Sequence, residues 1–199
     1  MQEKDLILEK EKDRTFYDCA ISNENKQAII ALVGLCPGYT QLNYAIEHQH
    51  SGFDVARREA SFKGCSKNIA RMLRKIGVDK KLKIVIPDDY DFNASTYFFT
   101  TSLVKYPGLR SGKGRSDDFN PLDYEFAKKC IRKIFLKEMV DSRLNEVVIF
   151  GKKAEAAIKE YVVDGRSIER IMIDAGKKMI YLPHPSGSNN GGVAKFLRS

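Results

Sequence analysis

The chain has 199 residues, 43% of them hydrophobic, and a formal net charge of +8 at pH 7. This length and composition predict one domain over residues 1–199 with an apolar core of its own. No apolar run approaches the ~20 residues that cross a bilayer, and no signal peptide opens the chain. We therefore expect a soluble, cytoplasmic monomer with no membrane partner.

The chain contains four scattered cysteines with no CxxC pair, at Cys19, Cys36, Cys65 and Cys130. That spacing argues against a disulfide framework and against a closed zinc site, so we expect reduced thiols. His48 and His50 have a spacing that can serve a metal, but no Cys or carboxylate pattern accompanies them. We expect no metal site.

Basic residues are concentrated in two stretches. Between Val55 and Lys83, ten basic residues stand against two acids, which equals the net charge of the whole chain. A second, acid-free cluster lies in a Gly/Ser-rich segment and comprises Lys105, Arg110, Lys113 and Arg115. Such patches favour a polyanionic partner, most simply DNA. The alternative is that these charges only keep helix faces solvated.

The first third of the chain predicts one strand and one sharp turn. Residues 1–27 alternate acids and bases, which predicts an exposed lead-in with some helical character. The apolar run 28–33 predicts a buried strand. It ends in Gly34–Gly38, where two glycines and a proline allow a tight turn close to a ligand. Residues 39–60 are predicted to form a loop.

Residues 66–76 have the clearest helical pattern. Ile69, Ala70, Leu73 and Ile76 share one face, Ser66 can cap the start, and Gly77 is placed to end the helix. The basic residues on the other side of this helix are Lys67, Arg71, Arg74 and Lys75. Residues 83–86 form a short apolar segment, and residues 97–104 predict a strand.

The second half predicts strands that alternate with helices. Asn120 and Pro121 are expected to open a long helix, with Cys130 on its apolar face and so in packing. Strands are predicted at 147–150 and 179–182, and helices at 153–161 and 192–198, while residues 164–178 show no clear pattern. This alternation predicts an α/β fold, a three-layer sandwich with a central, largely parallel four-stranded sheet.

The last predicted strand runs into Pro183-His184-Pro185-Ser186-Gly187. Two prolines stiffen the backbone around one histidine, at the strand end where open α/β sheets bind ligands. Imidazole also changes its charge near neutral pH. Taken alone, this pattern fits a rigid surface turn better than an active site.

The order of these motifs resembles that of the uracil-DNA glycosylase superfamily. A strand followed by Gly-x-x-Pro-Gly corresponds to Gly34–Gly38, and a strand followed by His-Pro-Ser corresponds to His184–Ser186. Between them, residues 62–64, 101–105 and 146–157 also resemble segments of that family. The resemblance covers about residues 28–190 and implies a uracil-DNA-glycosylase-like fold.

The resemblance also implies roles for individual residues. Phe62 would stack on an extruded base, Ser102 would read its edge, and His184 would donate a hydrogen bond to the departing base. Backbone groups around Leu35, Cys36 and Gly38 would complete the base pocket. The residues expected to bind DNA are those of the basic patches, Lys67, Arg71, Arg74, Lys75, Lys105 and Arg110, and, by the resemblance, Ser186, Gly187, Ser188 and Asn189.

Two departures from the family pattern bear on activity. Relatives carry an acid or amide that handles the attacking water at the position of Cys36 or Leu35, and this chain has neither. Relatives that read uracil commonly carry Asn at the position of Ser102, and a serine hydroxyl cannot make that paired contact. One branch holds an iron–sulfur cluster on four cysteines; only Cys130 corresponds, so we expect no such cluster.

The leading hypothesis is a DNA glycosylase that removes a modified or bulky pyrimidine, such as those in some viral genomes, which would fit antiviral defence. One alternative is a non-catalytic nucleic-acid-binding relative that kept the fold. Another is a uracil-DNA glycosylase in DNA repair. A third is a hydrolase with Cys36 as nucleophile and His184 as base, although Cys36 is at least as well explained as a small packed residue.

Overall fold

The structure is a computed structural model that describes residues 2–23, 25–110 and 119–199. Its strands are β1 (Ile7–Glu11), β2 (Arg14–Tyr17), β3 (Ile30–Gly34), β4 (Phe98–Ser102), β5 (Gly108–Arg110), β6 (Glu146–Phe150), β7 (Val162–Val163), β8 (Arg166–Ser167) and β9 (Lys178–Leu182). Its α-helices are α1 (Tyr39–Glu47), α2 (Phe53–Ala60), α3 (Ser66–Lys75), α4 (Val78–Leu82), α5 (Glu125–Cys130), α6 (Leu136–Asp141), α7 (Lys152–Glu160), α8 (Ile168–Asp174) and α9 (Asn190–Arg198).

Four strands form a parallel sheet in the order β4-β3-β6-β9. β3 lies inside this sheet, where Ile30 is level with Phe98 of β4 on one side and with Glu146 of β6 on the other. All five residues of β3 are buried, which fits its continuous apolar sequence. The predicted central parallel sheet of four strands is confirmed.

Helices cover both faces of this sheet, because successive residues of a strand point to opposite sides. Ala31 and Val33 of β3 pack in a core with α5 to α8, whereas Ile30 and Leu32 pack in a second core with α3, α4 and α9. The predicted three-layer α/β/α arrangement is therefore present.

The N-terminal segment is only in part the exposed lead-in that its charge pattern predicts, because β1 is mostly exposed whereas β2 is buried. β1 and β2 pair antiparallel, and β2 also pairs with β5, so Phe16 is fully buried. The chain then runs beside β4, where the Ile21 amide donates to the Lys105 carbonyl at 3.0 Å and the Asn23 amide donates to the Thr100 carbonyl at 2.8 Å. This segment covers the outer edge of β4, which would otherwise present unpaired backbone groups.

Residues 39–60 form α1 and α2, so the prediction of a loop there is wrong. Only two residues of α1, Leu42 and Ala45, are buried, which leaves too weak a periodic pattern to recognise in the sequence. They pack in a third core against N-terminal residues such as Leu6 and Tyr17. These helices are stabilised by a segment whose own fold was not predicted.

The helix predicted from Asn120 begins later than expected. Asn120 caps a 3-10 turn, Pro121–Asp123, by accepting the Leu122 amide at 3.1 Å. Tyr124 is extended, α5 starts at Glu125, and a π-helical turn, Ile131–Phe135, connects α5 to α6. Cys130 is buried in the core, as its apolar face predicts.

Other predicted elements agree more closely. α3 matches its prediction in most respects, but Ser66 is its first residue and Cys65 occupies the cap position. Ile76, predicted on its apolar face, lies just past its end and is 36% exposed. Gly77 follows with a φ of 77°, the left-handed conformation that glycine adopts without steric cost. Residues 84–87 have no regular structure, and the unassigned stretch 164–178 contains β8 and α8.

Glu146 joins three elements at the amino ends of the strands and gives a pH-dependent prediction. Its side chain is 5% exposed and lies 2.9 Å from Lys81 Nζ and 3.1 Å from Lys178 Nζ. Burial raises the pKa of this carboxyl, but the two ammonium groups together lower it further, so the net pKa lies below its usual range. The ionised carboxylate therefore stabilises the fold above the unfolded pKa, and this contribution is lost as pH falls through the folded pKa.

We expect Glu146→Gln to reduce the free energy of unfolding at pH 7 by about 1–3 kcal/mol, because the amide oxygen that replaces the carboxylate lacks the negative charge that both ammonium groups face. The difference from wild type should be full at neutral pH and shrink as pH falls through the lowered pKa of Glu146 in the folded protein, where the carboxyl becomes protonated. Urea unfolding at several pH values measures this. A difference that does not change with pH would show that the charge of Glu146 contributes nothing.

Candidate functional site

The carboxyl ends of the four parallel strands meet at one edge of the sheet, where two adjoining cavities open. The first, about 310 Å³, is lined by the turn after β3, the segment before α3, the end of β4 and the loop after β9. The second, about 480 Å³, is lined by the first turn of α7 and the loop after β9. Both cavities are bordered by Leu35, Cys36, His184 and Ser186.

The residues predicted to form a base pocket all line the first cavity, namely Leu35, Cys36, Gly38, Phe62, Ser102 and His184. Ser186 and Gly187 line it as well, whereas Ser188 and Asn189 line the second cavity. Segments as far apart in the sequence as Leu35 and Asn189 are thus brought together at one site.

Phe62 and Ser102 both lie next to Gly34 at the end of β3. A Cβ atom at Gly34 would lie 3.4 Å from Ser102 Oγ and 3.6 Å from the Phe62 ring. Phe62 has a φ of 53°, a left-handed conformation that is strained for a bulky residue. Its ring packs edge-on against Phe150, with ring centroids 5.6 Å apart. The aromatic wall of the cavity is therefore held in place by its surroundings.

The His184 imidazole is fixed from two sides. A Cβ atom at Gly151 would lie 3.3 Å from Cβ and Cδ2 of His184, so the ring packs against this glycine. The Ser186 backbone N–H donates to His184 Nδ1 at 3.3 Å, and Ser186 Oγ lies 2.9 Å from the same atom. Because a backbone N–H can only donate, Nδ1 is an acceptor, and the neutral imidazole carries its proton on Nε2.

The rest of this loop is held by short polar contacts. Asn189 Nδ2 donates to the His184 carbonyl at 2.9 Å, and the hydroxyls of Ser186 and Ser188 are 2.9 Å apart. These bonds all lie within residues 184–189, so the loop after β9 is braced internally. Gly187–Asn189 forms a 3-10 turn that leads into α9.

Cys36 is engaged in backbone hydrogen bonds. Its Sγ lies 3.2 Å from the Tyr106 carbonyl and accepts the Gly108 amide at 3.2 Å. The thiol thereby connects the turn after β3 to the segment that enters β5. This geometry accounts for a cysteine at position 36 without assigning it any chemistry.

One backbone amide of the turn after β3 is already hydrogen-bonded within the protein. The Gly38 amide, expected to face a ligand, donates to Gln41 Oε1 at 2.9 Å at the start of α1. Thr40 and Gln41 line the first cavity and were not singled out from the sequence, although they directly follow the glycine-rich turn. Ile21 also lines it, and no local sequence signal places this residue there.

Both cavities are electropositive. Among the described residues that line them there is no aspartate or glutamate, whereas Lys63 lines the first and Lys152 and Lys153 line the second. The two lysines open α7, whose N-terminus adds the positive end of a helix dipole. The arrangement favours anionic or polar ligands. The sequence predicts the strand before α7 and most of α7 itself, but Lys152 and Lys153 were not predicted to line a site.

The exposed cations of α3 lie beside this site. We name Lys67, Arg71 and Lys75 the α3 basic face; all three are exposed. Arg74, predicted to belong with them, instead pairs with Asp88 at 2.6 Å and donates to the Ile86 carbonyl. The same guanidinium lowers the pKa of Asp88. Arg74 therefore fixes the chain after α4.

Two members of the second predicted basic cluster form ion pairs. Lys105 is 5% exposed and pairs with Glu138, so little of its charge is available to a polyanion. Arg110 is exposed and pairs with Asp13 at 3.1 Å. The remaining members of the cluster, Lys113 and Arg115, lie outside the described residues.

Of the other histidines and cysteines, Cys65 alone lines the first cavity, and His48, His50, Cys19 and Cys130 line neither. His48 stacks on Tyr44 with ring centroids 3.9 Å apart. Burial raises the pKa of Cys130 to about 12 and that of Cys65 to about 11. Within residues 2–23, 25–110 and 119–199, no three His, Cys, Asp or Glu side chains are grouped so that they could hold a metal ion.

No protein-family model matches the chain, and no curated protein sequence matches it. In the part of the chain that the structure describes, no helix is long and apolar enough to span a membrane.

The contacts of Cys36 predict a structural effect. Cys36→Ala should reduce the free energy of unfolding by about 1–3 kcal/mol, because the Gly108 amide and the Tyr106 carbonyl lose their partner. Cys36→Ser, which keeps a donor and an acceptor, should be closer to wild type. Denaturant unfolding of the three proteins tests this, and equal stability of all three would contradict it.

Proposed function

We propose that the protein is a DNA glycosylase of the uracil-DNA glycosylase type, which hydrolyses the N-glycosidic bond of a modified or bulky pyrimidine. The observation that carries this proposal is the convergence of Leu35, Phe62, Ser102 and His184 on one cavity. These residues belong to four separate motifs, and the proposal gives each of them a part in one reaction. A uracil-DNA-glycosylase-like version of the α/β/α fold is part of the same proposal.

The first cavity is suited to an extruded base. An enzyme that acts on a base in DNA must flip it from the stack, at a cost of a few kcal/mol, and then bind it by stacking and hydrogen bonds. The Phe62 ring supplies a stacking surface that is fixed against Phe150. The Ser102 hydroxyl, on a residue that is 8% exposed, supplies a polar group beside it.

His184 would assist departure of the base. As the glycosidic bond breaks, its electrons move onto the base, and negative charge develops on a pyrimidine carbonyl. The neutral imidazole with its proton on Nε2 is a hydrogen-bond donor for that oxygen. A fixed donor aimed at charge that develops in the transition state typically contributes ~2.7–4 kcal/mol.

The lysines around the site fit the negative charge that would develop on the departing base. Lysines near the site favour an anionic leaving base and bind phosphate oxygens of the strand. Ser186, Ser188 and Asn189 border the second cavity together with Lys152 and Lys153, so we assign that cavity to the DNA backbone.

Ser102 bears on the identity of the base. Uracil presents one N–H donor between two carbonyl acceptors, and an amide side chain matches part of that pattern with a donor and an acceptor in one plane. A serine hydroxyl is a single rotating group that several base edges satisfy. We therefore expect little release of ordinary uracil and greater release of a modified pyrimidine.

One observation favours a second candidate function. The described residues that line the cavities include no carboxylate to activate the attacking water. A nucleic-acid-binding relative that kept the fold and lost catalysis would have the same feature. Release of any base distinguishes the two candidates, and release of uracil alone would instead support the alternative of a repair uracil-DNA glycosylase.

The proposal predicts the effect of His184→Ala. Base release per folded molecule should fall by roughly tenfold to a thousandfold, because the departing base loses its hydrogen bond. Mass spectrometry of bases released from oligonucleotides that carry natural and modified pyrimidines measures this. Since His184 is exposed, stability should change little.

His50→Ala is the matched control, because His50 is also exposed and does not line the two cavities. Base release by His50→Ala should equal that of wild type. Normal release by His184→Ala would contradict the proposed role of His184. Abolished release in folded Cys36→Ala, with His184→Ala also inactive, would favour the cysteine-hydrolase alternative.

The α3 basic face predicts a salt-dependent interaction with DNA. The triple replacement Lys67→Gln, Arg71→Gln and Lys75→Gln should weaken binding to all sequences. It should also reduce the slope of log affinity against log salt by about one for each phosphate that is no longer neutralised. Fluorescence anisotropy at several salt concentrations measures both quantities.

The matched control removes the same charge from three exposed residues on the other side of the sheet, Lys129, Arg132 and Lys133. It should leave the affinity and the slope nearly unchanged. If both triple variants weaken binding equally, the interaction depends on net charge alone and the α3 basic face has no special part in it.

A further inference from the structure

Asn68, in the first turn of α3, makes two hydrogen bonds to the region of His184. Its Nδ2 donates to the Pro185 carbonyl at 2.9 Å and to Asn190 Oδ1 at 3.0 Å. An amide nitrogen carries two hydrogens, so both bonds form at the same time. One side chain thus connects α3, the loop that carries His184 and the first residue of α9.

The bond to Pro185 acts next to the imidazole. The hydrogen bonds described above for this loop run within residues 184–189, and the bond from Asn68 joins the loop to a different element. Pro185 is buried and its ring fixes φ, so a shift of its carbonyl moves the neighbouring residue, His184. The Asn68 side chain therefore couples the orientation of the imidazole to the position of α3.

Asn68 also lies within the α3 basic face. Lys67 precedes it, and Arg71 is three residues later, one helical turn away on the same side. A ligand that binds to Lys67 and Arg71 would contact the same turn of α3 whose Asn68 side chain is hydrogen-bonded to Pro185. The cations of α3 and His184 are thus connected through a single side chain.

We infer that Asn68 is a positioning residue that aligns the His184 imidazole and connects it to the α3 basic face. The structural part of this inference stands on the contacts alone, and its catalytic part rests on the proposed glycosylase function. Loss of the two bonds would let the loop shift, and small misplacements of a catalytic group lower rates by as much as about a hundredfold.

The test replaces Asn68 with Asp, which has nearly the same shape but cannot donate to the Pro185 carbonyl. The chain has three histidines, so two-dimensional ¹⁵N–¹H spectra of the imidazoles report each ring and its tautomer separately. We expect the His184 signals to move or broaden in Asn68→Asp, while those of His48 and His50 stay in place. Asn68→Gln, which keeps the donating amide, should restore part of the wild-type spectrum.

Lys67→Gln is the matched control one position earlier. It should weaken DNA binding and leave the His184 signals unchanged. Unchanged His184 signals in folded Asn68→Asp would overturn the inference. If Asn68→Asp does not fold, as judged by circular dichroism, Asn68→Ala is measured in its place, and the same outcome applies.

Kinetics separates this inference from the proposed function. At saturating DNA, single-turnover base release by Asn68→Ala, which removes the donor without adding a charge beside the α3 basic face, should fall on the order of ten- to a hundredfold, with little change in DNA affinity. An effect on affinity alone would overturn the positioning role. If wild type releases no base, the proposed function fails, and the imidazole spectra still decide whether Asn68 orients His184.

Discussion

The parallel pairing of β3 on both of its sides determines where the site can form. Gly34 is level with Ser102 of β4, Val33 with Ile149 of β6, and Phe150 with Leu182 of β9. The four strands therefore end within about one residue of each other, and the segments that follow all start from one edge. Any slip of one strand would move its following segment away from the others and turn its side chains to the wrong core.

Each functional group at this edge is held by small, specific contacts. Phe62 and Ser102 lie next to Gly34, Gly151 leaves room for the His184 ring, and Cys36 connects the turn after β3 to the entry of β5. The charged side chains in the described lining are lysines, and carboxylates are absent from it. The site is thus complementary to negative charge, which is what the proposed departure of a base from a phosphate-bearing strand would require.

The central sheet and the site residues could be predicted because they have local signals. Apolar runs end in glycine or proline at Gly34 and Pro183, and α3 has apolar residues at helical spacing, of which Ile69, Ala70 and Leu73 are buried. What could not be predicted depends on distant partners: Phe16 is buried by pairing with Gly108, and Lys105 is buried beside Glu138. Asn68 had no signal, because a polar residue on a basic helix face is ordinary until the loop it contacts is known.

The conformation of Phe62 has a consequence for how this protein can change over evolutionary time. A bulky residue with a φ of 53° costs stability, and glycine or asparagine would adopt the same backbone with less strain. Either replacement would remove the aromatic wall of the first cavity. A laboratory selection for thermal stability would therefore enrich small residues here, whereas a selection for ligand binding would keep the ring, so the two favour different residues at position 62.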